Sequence, residues 1–416
     1  MSMTIYTKIQ KPPLFARIVM VLLLIAPVLQ CYGWGKFDFS FIIMSLLSIC
    51  HLFFHGISHT RTPKMLLWYW VWWYTSHLLS SSSLNEFIHL GILKTVITYI
   101  MYIDLFDIEY FMPKYRKFAN FFISFFYIQE FSRLVLGVSL LNVVTFLPLA
   151  VTEDAQSFYI SNLESDRSSS LFKEPAVFAQ YLLPLLCYEL FAKTKMDKKY
   201  TSFLFITLLF SRTGNAMVGL IVIASCYAVS ILRNRLSSKK IIFIFLGSIF
   251  ALSSLFFFLR TEGGQKILQR ASTMNVQSTI ENGYAGSTFL RLYQGLFIFN
   301  EYPTLYKVIG NDHSDYFFKQ AQKSKTLLAI YGKEDVAAYF NSFSSLLIYT
   351  GFIGLFLMVI LFRNIWRLNT FYGKSMLLML FALSLISSNF FTTTMALFLL
   401  PAIATQRKTI SILKKN

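Results

Sequence analysis

The chain alternates between long apolar runs and short polar connections, and the length of the apolar runs is that of a bilayer. A helical span needs roughly 20 apolar residues. Runs near that length recur at 15–33, 39–57, 65–81, 87–105, 118–138, 175–192, 200–212, 213–232, 241–259, 342–362, 375–389 and 390–405. The pattern predicts an all-α polytopic membrane protein of about twelve transmembrane helices. The runs at 200–212, 375–389 and 390–405 are short, so ten or eleven spans fit as well. Five regions follow. Residues 1–139 hold the first five spans, 140–174 an outer loop, 175–259 spans six to nine, 260–341 one long extracytoplasmic loop, and 342–416 the last three spans with a tail. In the long loop Thr288–Asn300 and Tyr316–Ile330 predict short helices, while Gly263, Gly264, Gly283 and Gly286 punctuate turns. Long loops with helices of their own are commonly functional.

Composition agrees with this pattern: 55% of the residues are hydrophobic and only 14% charged, well away from the soluble balance. The first run, Ala16–Gln30, is flanked by Lys8, Lys11 and Arg17 but followed by no small-residue cleavage site, so it is expected to stay in place. A net charge of +18 suggests a nucleic-acid partner until it is mapped onto the spans. With the N-terminus inside, 23 of the 38 lysines and arginines fall in cytoplasmic segments, among them Lys114, Arg116, Lys193, Lys199, Arg235, Lys240, Arg363 and Lys415. Such a bias orients a membrane protein, so both termini are expected to be cytoplasmic, and the charge needs no nucleic acid. Cys31, Cys50, Cys187 and Cys226 lie in or beside apolar runs without C-x-x-C spacing, which suggests neither a disulfide framework nor a zinc site. No internal repeat is visible, which weighs against a two-halved transporter.

What remains is charge on the outer side. The stretch Leu163–Pro184, LESDRSSSLFKEPAVFAQYLLP, puts Arg167, Lys173 and Glu174 at the membrane rim. Arg212 stands at the tip of a hairpin in LLFSRTGNAMVGL, and Arg291 in GSTFLRLYQGLFIFNEYP of the long loop. A guanidinium stays ionised and offers a planar fork of donors suited to phosphate and diphosphate. Three of them converging at the outer leaflet would hold a lipid diphosphate; the alternative for each is snorkelling to headgroups or pairing with an acid. Glu174 precedes Pro175 at a span start, where the positive field of a helix N-terminus would keep it ionised as a general base. It serves equally as a helix-start carboxylate paired with Arg167 or Lys173.

Several other polar residues sit in or near spans. Glu130 and Arg133 are three apart, hence on one helix face, and a charge in a span costs about 2.5–3.5 kcal/mol. They are expected to form an intrahelical pair lining an outward-facing cavity. Lys94 is similar but has no obvious partner. His51, His55 and His59 have a four-residue spacing that suits two metal ligands, yet no carboxylate lies beside them in sequence, so no metal is expected. His313, in IGNDHSDYF, is the one histidine placed outside and is a candidate acid or base, or a surface loop residue. There is no P-loop, G-x-G-x-x-G or G-x-S-x-G, and Asp107-Ile108-Glu109 falls on the face opposite the arginines. Neither a nucleotide cofactor nor an essential metal is indicated.

In RSSSLFKEPAVFAQYLLP, FSRTGNAMVGL, STFLRLYQGLFIFNEYP followed by VIGND, and NSFSSLLIYTGFIGL, the chain resembles the Wzy-type polysaccharide polymerases of the O-antigen ligase and polymerase superfamily. The order and spacing of the pieces, the many spans and the long outer loop before the third-last span all match, over roughly the second half of the chain. The resemblance implies a metal-independent, inverting glycosyltransferase of the GT-C type in a bacterial cytoplasmic membrane. Such an enzyme moves a growing chain from undecaprenyl diphosphate onto the non-reducing end of a new lipid-linked repeat unit. It needs no cofactor, and its partners are undecaprenyl-diphosphate-linked oligosaccharide, a flippase and chain-length regulator proteins. Carried over by position, Arg167, Arg212 and Arg291 would bind the diphosphate. Ligase-like members carry a histidine before the Asn that opens the third-last span. Here Phe340 precedes Asn341, which points away from a ligase and leaves the base open between Glu174 and His313. The competing expectations are an O-antigen ligase and a flippase of lipid-linked oligosaccharide.

Overall fold

The computed structural model describes residues 12–30, 32–34, 37–56, 61–80, 98–137, 147–149, 167–193, 195–233, 290–311, 314–323, 340–387 and 392–413. Over these residues the protein is all-α. Its helices are α1 (Leu14–Leu29), α2 (Phe39–His55), α3 (Arg61–Ser80), α4 (Ile108–Leu136), α5 (Pro175–Phe191), α6 (Lys198–Phe210), α7 (Gly214–Arg233), α8 (Gly295–Glu301), α9 (Thr304–Ile309), α10 (Ser314–Lys323), α11 (Ser342–Trp366), α12 (Phe371–Ile386) and α13 (Thr393–Leu413). Residues 98–105 are helical too. The exception is a two-residue hairpin, β1 (Gly33–Trp34) against β2 (Phe37–Asp38), ahead of α2.

Helix starts follow from short polar side chains that satisfy the first free amides. Asp38 accepts from Phe41 N at 2.6 Å, Asp197 from Tyr200 N at 3.2 Å and Asn341 from Ser344 N at 2.8 Å. Each such cap contributes roughly 1 kcal/mol. Asp107 caps α4 through Glu109 N at 2.8 Å and Tyr110 N at 3.2 Å. That cap starts the helix at Ile108, about ten residues before the apolar run from 118 that sequence hydropathy picks out. The Asp107-Ile108-Glu109 acids therefore have structural tasks, Glu109 pairing with Lys408 at 2.7 Å.

Among the described residues two helices are long and apolar enough to cross a membrane, Gly214–Ile231 and Ser342–Trp366. Leu14–Leu29, Phe39–His55, Pro175–Phe191 and Phe371–Ile386 are apolar but shorter. Of the expected spans, 241–259 and most of 87–105 lie outside the described residues, as does Lys94. The loop helix expected at Thr288–Asn300 is present as a π-helical turn, Leu290–Gln294, leading into α8. The one expected at Tyr316–Ile330 is helical over its described part, in Ser314–Lys323, and residues 324–330 lie outside the described residues.

An aromatic core joins α4 and α5 with the segment before α5. Phe126 stacks on Phe178 at 5.0 Å, and Phe172 meets Phe122 at 5.0 Å and Tyr181 at 4.9 Å. The Tyr115 hydroxyl donates to the Tyr181 carbonyl. These pairs make α4 and α5 antiparallel, so the C-terminal end of α4 and the N-terminal end of α5 share one end of the bundle. At the other end Arg116 spans three helices: it reaches Asp197 at 2.7 Å and buried Glu189 at 3.9 Å, and lies over the Tyr200 ring at 3.8 Å. The Arg116 hydrogen bond holds the Asp197 carboxyl below its ordinary value, with the Tyr200 amide adding to it.

Helix α11 is broken at Gly351, where φ is +64° and ψ is −167°. The carbonyls freed there are taken up from outside the helix. Asn311 N donates to Ile348 O at 2.7 Å, Ser76 Oγ to Tyr349 O at 3.0 Å and Trp72 Nε1 to Thr350 O at 2.9 Å. Residues 295–311 thus dock beside the first half of α11, around Ile298, Phe299, Tyr302 and Ile348.

Candidate functional site

The end of the bundle where α4 finishes and α5 begins gathers most of the charge singled out in the sequence. At its centre is Glu130, whose side chain is 7% exposed. Its Oε2 receives the Arg133 guanidinium, one turn on along the same helix, and Arg212 Nη2 at 3.2 Å. Its Oε1 accepts the backbone N–H of Ser168 at 3.2 Å. The expected Glu130–Arg133 pair is present, and it is the smaller part of a network that ties α4 to the α6–α7 turn and to the segment before α5.

That segment is held against α4 by complementary amide pairing. Gln129 Nε2 donates to Ser170 O and Ser170 N donates to Gln129 Oε1, both at 2.8 Å, while Ser170 Oγ donates to Phe122 O at 2.7 Å. Ser168, Ser169 and Ser170 are all buried. The serine run therefore acts as a folded plug that fixes where Arg167 emerges. Arg167 Nη1 donates to the carbonyl of Arg212 at 3.4 Å, so two of the three sequence-predicted arginines meet. Arg212 occupies the left-handed region with φ 50°, as does Ser170 with φ 56°. Only three non-glycine residues do so among the described ones, and two of them are in this network. Such backbone strain persists only where surroundings over-determine it, and it clusters at functional sites.

Arg291 enters from another direction. It lies in the π-helical turn, and its carbonyl accepts Asn341 N at 3.1 Å while Asn341 Nδ2 donates to Leu292 O at 3.2 Å. From Asn341 the network continues: Ser342 Oγ donates to Ser387 O at 2.8 Å, and Gln180 Nε2 to Ser387 Oγ at 3.1 Å. Gln180 is in the second turn of α5, so Arg291 belongs to the same end of the bundle as Glu174. The Arg291 guanidinium makes no hydrogen bond or ion pair among the described residues. A Cβ on Gly295 would crowd Ser344 and the Phe340 ring, which packs beside the helix carrying Arg291.

Glu174 is the N-cap residue of α5 by position, with Pro175 as the first helical residue, but its side chain caps no amide. It is half-buried and forms no ion pair among the described residues. The pairing with Arg167 or Lys173 that its neighbours suggest is therefore not made. His313 lies outside the described residues. Elsewhere, His51 approaches Asp104 at 3.5 Å and stacks on Phe15. Among the described residues no three His, Cys, Asp or Glu side chains gather as metal ligands do.

Chemically the network brings cations together. Arg133 and Arg212 share the single carboxylate of Glu130, and Arg167 meets the backbone carbonyl of Arg212. Arg133 Nε and Ser168 Oγ are buried without a hydrogen-bond partner among the described residues. Buried donors without acceptors are costly, typically about 1–3 kcal/mol each. Sequence reasoning placed the arginines but not Gln129 or Ser168; the signal for them is the polar run Gln129-Glu130-x-x-Arg133 inside an otherwise apolar helix. Compared with protein-family models, curated proteins and solved structures, the chain finds no match.

Proposed function

We propose that this protein is a polysaccharide polymerase of the cytoplasmic membrane of a bacterium, working on lipid-diphosphate-linked oligosaccharide at the outer face. The observation that carries this reading is the gathering of Arg133, Arg167 and Arg212 at one end of an apolar helical bundle, the end where α5 starts at Glu174, which forms no ion pair among the described residues. Support for the membrane comes from the flanks. Phe53 is 88% exposed, Leu134 78% and Trp68 67%, an apolar surface far beyond what water tolerates on a monomer. In this reading the apolar runs are about twelve spans, and the basic segments, including Arg116 and Lys193, face the cytoplasm. The Glu130 end then faces outward.

The reaction is a displacement at an anomeric carbon. A hydroxyl at the non-reducing end of a new lipid-linked repeat unit attacks that carbon of the growing chain, from the face opposite the diphosphate. The new glycosidic C–O bond forms as the bond to the diphosphate breaks, and undecaprenyl diphosphate leaves with the electron pair. The hydroxyl proton passes to Glu174, which is the base in this scheme because its carboxylate is uncommitted. Arg167, Arg212 and Arg291 stabilise charge growing on the leaving diphosphate, a role in which one donor is worth on the order of 10²–10³ in rate. Planar guanidiniums suit two adjacent phosphates better than point charges do.

Deletion in the native cell tests this. Cells without the protein should keep single repeat units on carrier lipid, or on a lipid core where a ligase exists, and lose long chains. Full-length polymer retained on carrier lipid would instead identify a ligase, and repeat units trapped on the cytoplasmic leaflet a flippase.

A further inference from the structure

The Glu130 carboxylate presents a puzzle for an anion site: it is a buried negative charge placed where a negative ligand is to bind. We infer that Glu130 is a positioning residue that holds Arg212 and the Arg167 segment in the geometry that receives the diphosphate; this rests on the polymerase reading above. The argument starts from how both of its oxygens are used. Oε1 fixes the Ser168 amide, and so the emergence of Arg167, while Oε2 draws Arg212 Nη2 to 3.2 Å. Arg212 sits in a left-handed turn with φ 50°, and its side chain is 49% exposed, so little but this carboxylate fixes its direction. Long exposed side chains carry large rotamer entropy, and a group that is already oriented loses less of it on binding.

Arg133 Nε and Ser168 Oγ, on residues that both bond to the Glu130 carboxylate, are buried without a hydrogen-bond partner among the described residues.

The sign of one measurement separates positioning from simple proximity. Removing a negative charge near an anion should tighten anion binding by Coulomb attraction alone. Removing a positioning group should weaken it. Full-length protein in nanodiscs would be titrated with farnesyl diphosphate as the probe. Glu130→Gln is expected to weaken binding about 10- to 100-fold, the range typical of groups that orient a ligand-contacting residue. In an Arg212→Ala background the same change is expected to cost clearly less than in the wild type, because only its effect through the Arg167 segment remains. Tighter or unchanged binding in Glu130→Gln, or an equal loss in both backgrounds, overturns the positioning role and leaves the polymerase reading standing. Wild-type protein that does not bind the probe overturns both. If Glu130→Gln does not fold, Glu130→Asp carries the test, since it keeps the charge and shortens the reach: weaker binding supports positioning, and unchanged binding overturns it.

Discussion

At the scale of single residues, what matters is which charges are spent within the protein and which are left over. Arg116 is spent on Asp197 and Glu189, whereas Arg291 has no partner among the described residues and Arg212 shares one carboxylate oxygen with Arg133. If the outer arginines grip a diphosphate whose charge grows during reaction, Arg167→Ala, Arg212→Ala and Arg291→Ala should each abolish long-chain polymer at normal membrane abundance. Loss of one such donor costs on the order of 10²–10³ in rate. Lysine keeps the charge and loses the fork, so the lysine variants should be partly active at best. Chain-length profiles on gels read this directly, with Arg270→Ala as the tolerated control; normal length in two or more alanine variants contradicts the site. Glu174→Gln should likewise stop polymerisation without lowering abundance, because the carboxylate caps nothing, and His313→Ala should not. The opposite pair of results moves the base to His313. The arginines were legible in the sequence because an arginine in a short polar turn between apolar runs has few structural reasons to be there. The role of Glu130 was only half legible. Its helix partner is three residues away, but Arg212 is 82 residues away, and only the packing of α4 against the α6–α7 turn brings them together.

At the scale of elements, hydropathy located most helices to within a few residues, since apolar runs and helices coincide where one face or all faces are buried. It missed the start of α4, which is set by the Asp107 cap within a polar stretch. It also missed the break in α11, because the sequence SLLIYTGFIGLF is apolar throughout and gives no sign that Gly351 leaves the helix. The reason lies in the partner segment. A Cβ at Gly351 would run into Val308 and Gly310, whose backbone passes alongside, and φ of +64° with ψ of −167° is a region essentially reserved for glycine. Gly351→Ala should therefore destabilise the protein by about 1–3 kcal/mol from backbone strain alone, with the clash adding to it. A clear drop in melting temperature of the purified protein is expected, against little change for Gly214→Ala, where a Cβ meets open space. Equal melting of the two variants would mean that the docking of residues 295–311 on α11 contributes nothing.

At the scale of the whole molecule, the protein separates two kinds of charge. One end carries Arg116, Glu189, Lys193 and Asp197 in mutually satisfied pairs; at the other, Arg133 and Arg212 share the one carboxylate of Glu130. The basic bias of the connecting segments signalled that division along the chain, and in the membrane reading proposed above the same bias sets the orientation. The number of spans was less legible, since α5 and α12 have 17 and 16 residues and pass as short spans or as buried core helices alike. The division has a functional meaning only if the Glu130 end processes a lipid-linked substrate by itself. Purified protein in liposomes, supplied with undecaprenyl-diphosphate-linked repeat units extracted from cells that lack it, is the most direct test. With no nucleotide sugar added and with a metal chelator present, a ladder of products at successive multiples of the repeat unit should form, and undecaprenyl diphosphate should be released in step with it. Repeat units that stay single with folded protein present, or that lengthen only when a nucleotide sugar is supplied, would contradict the account.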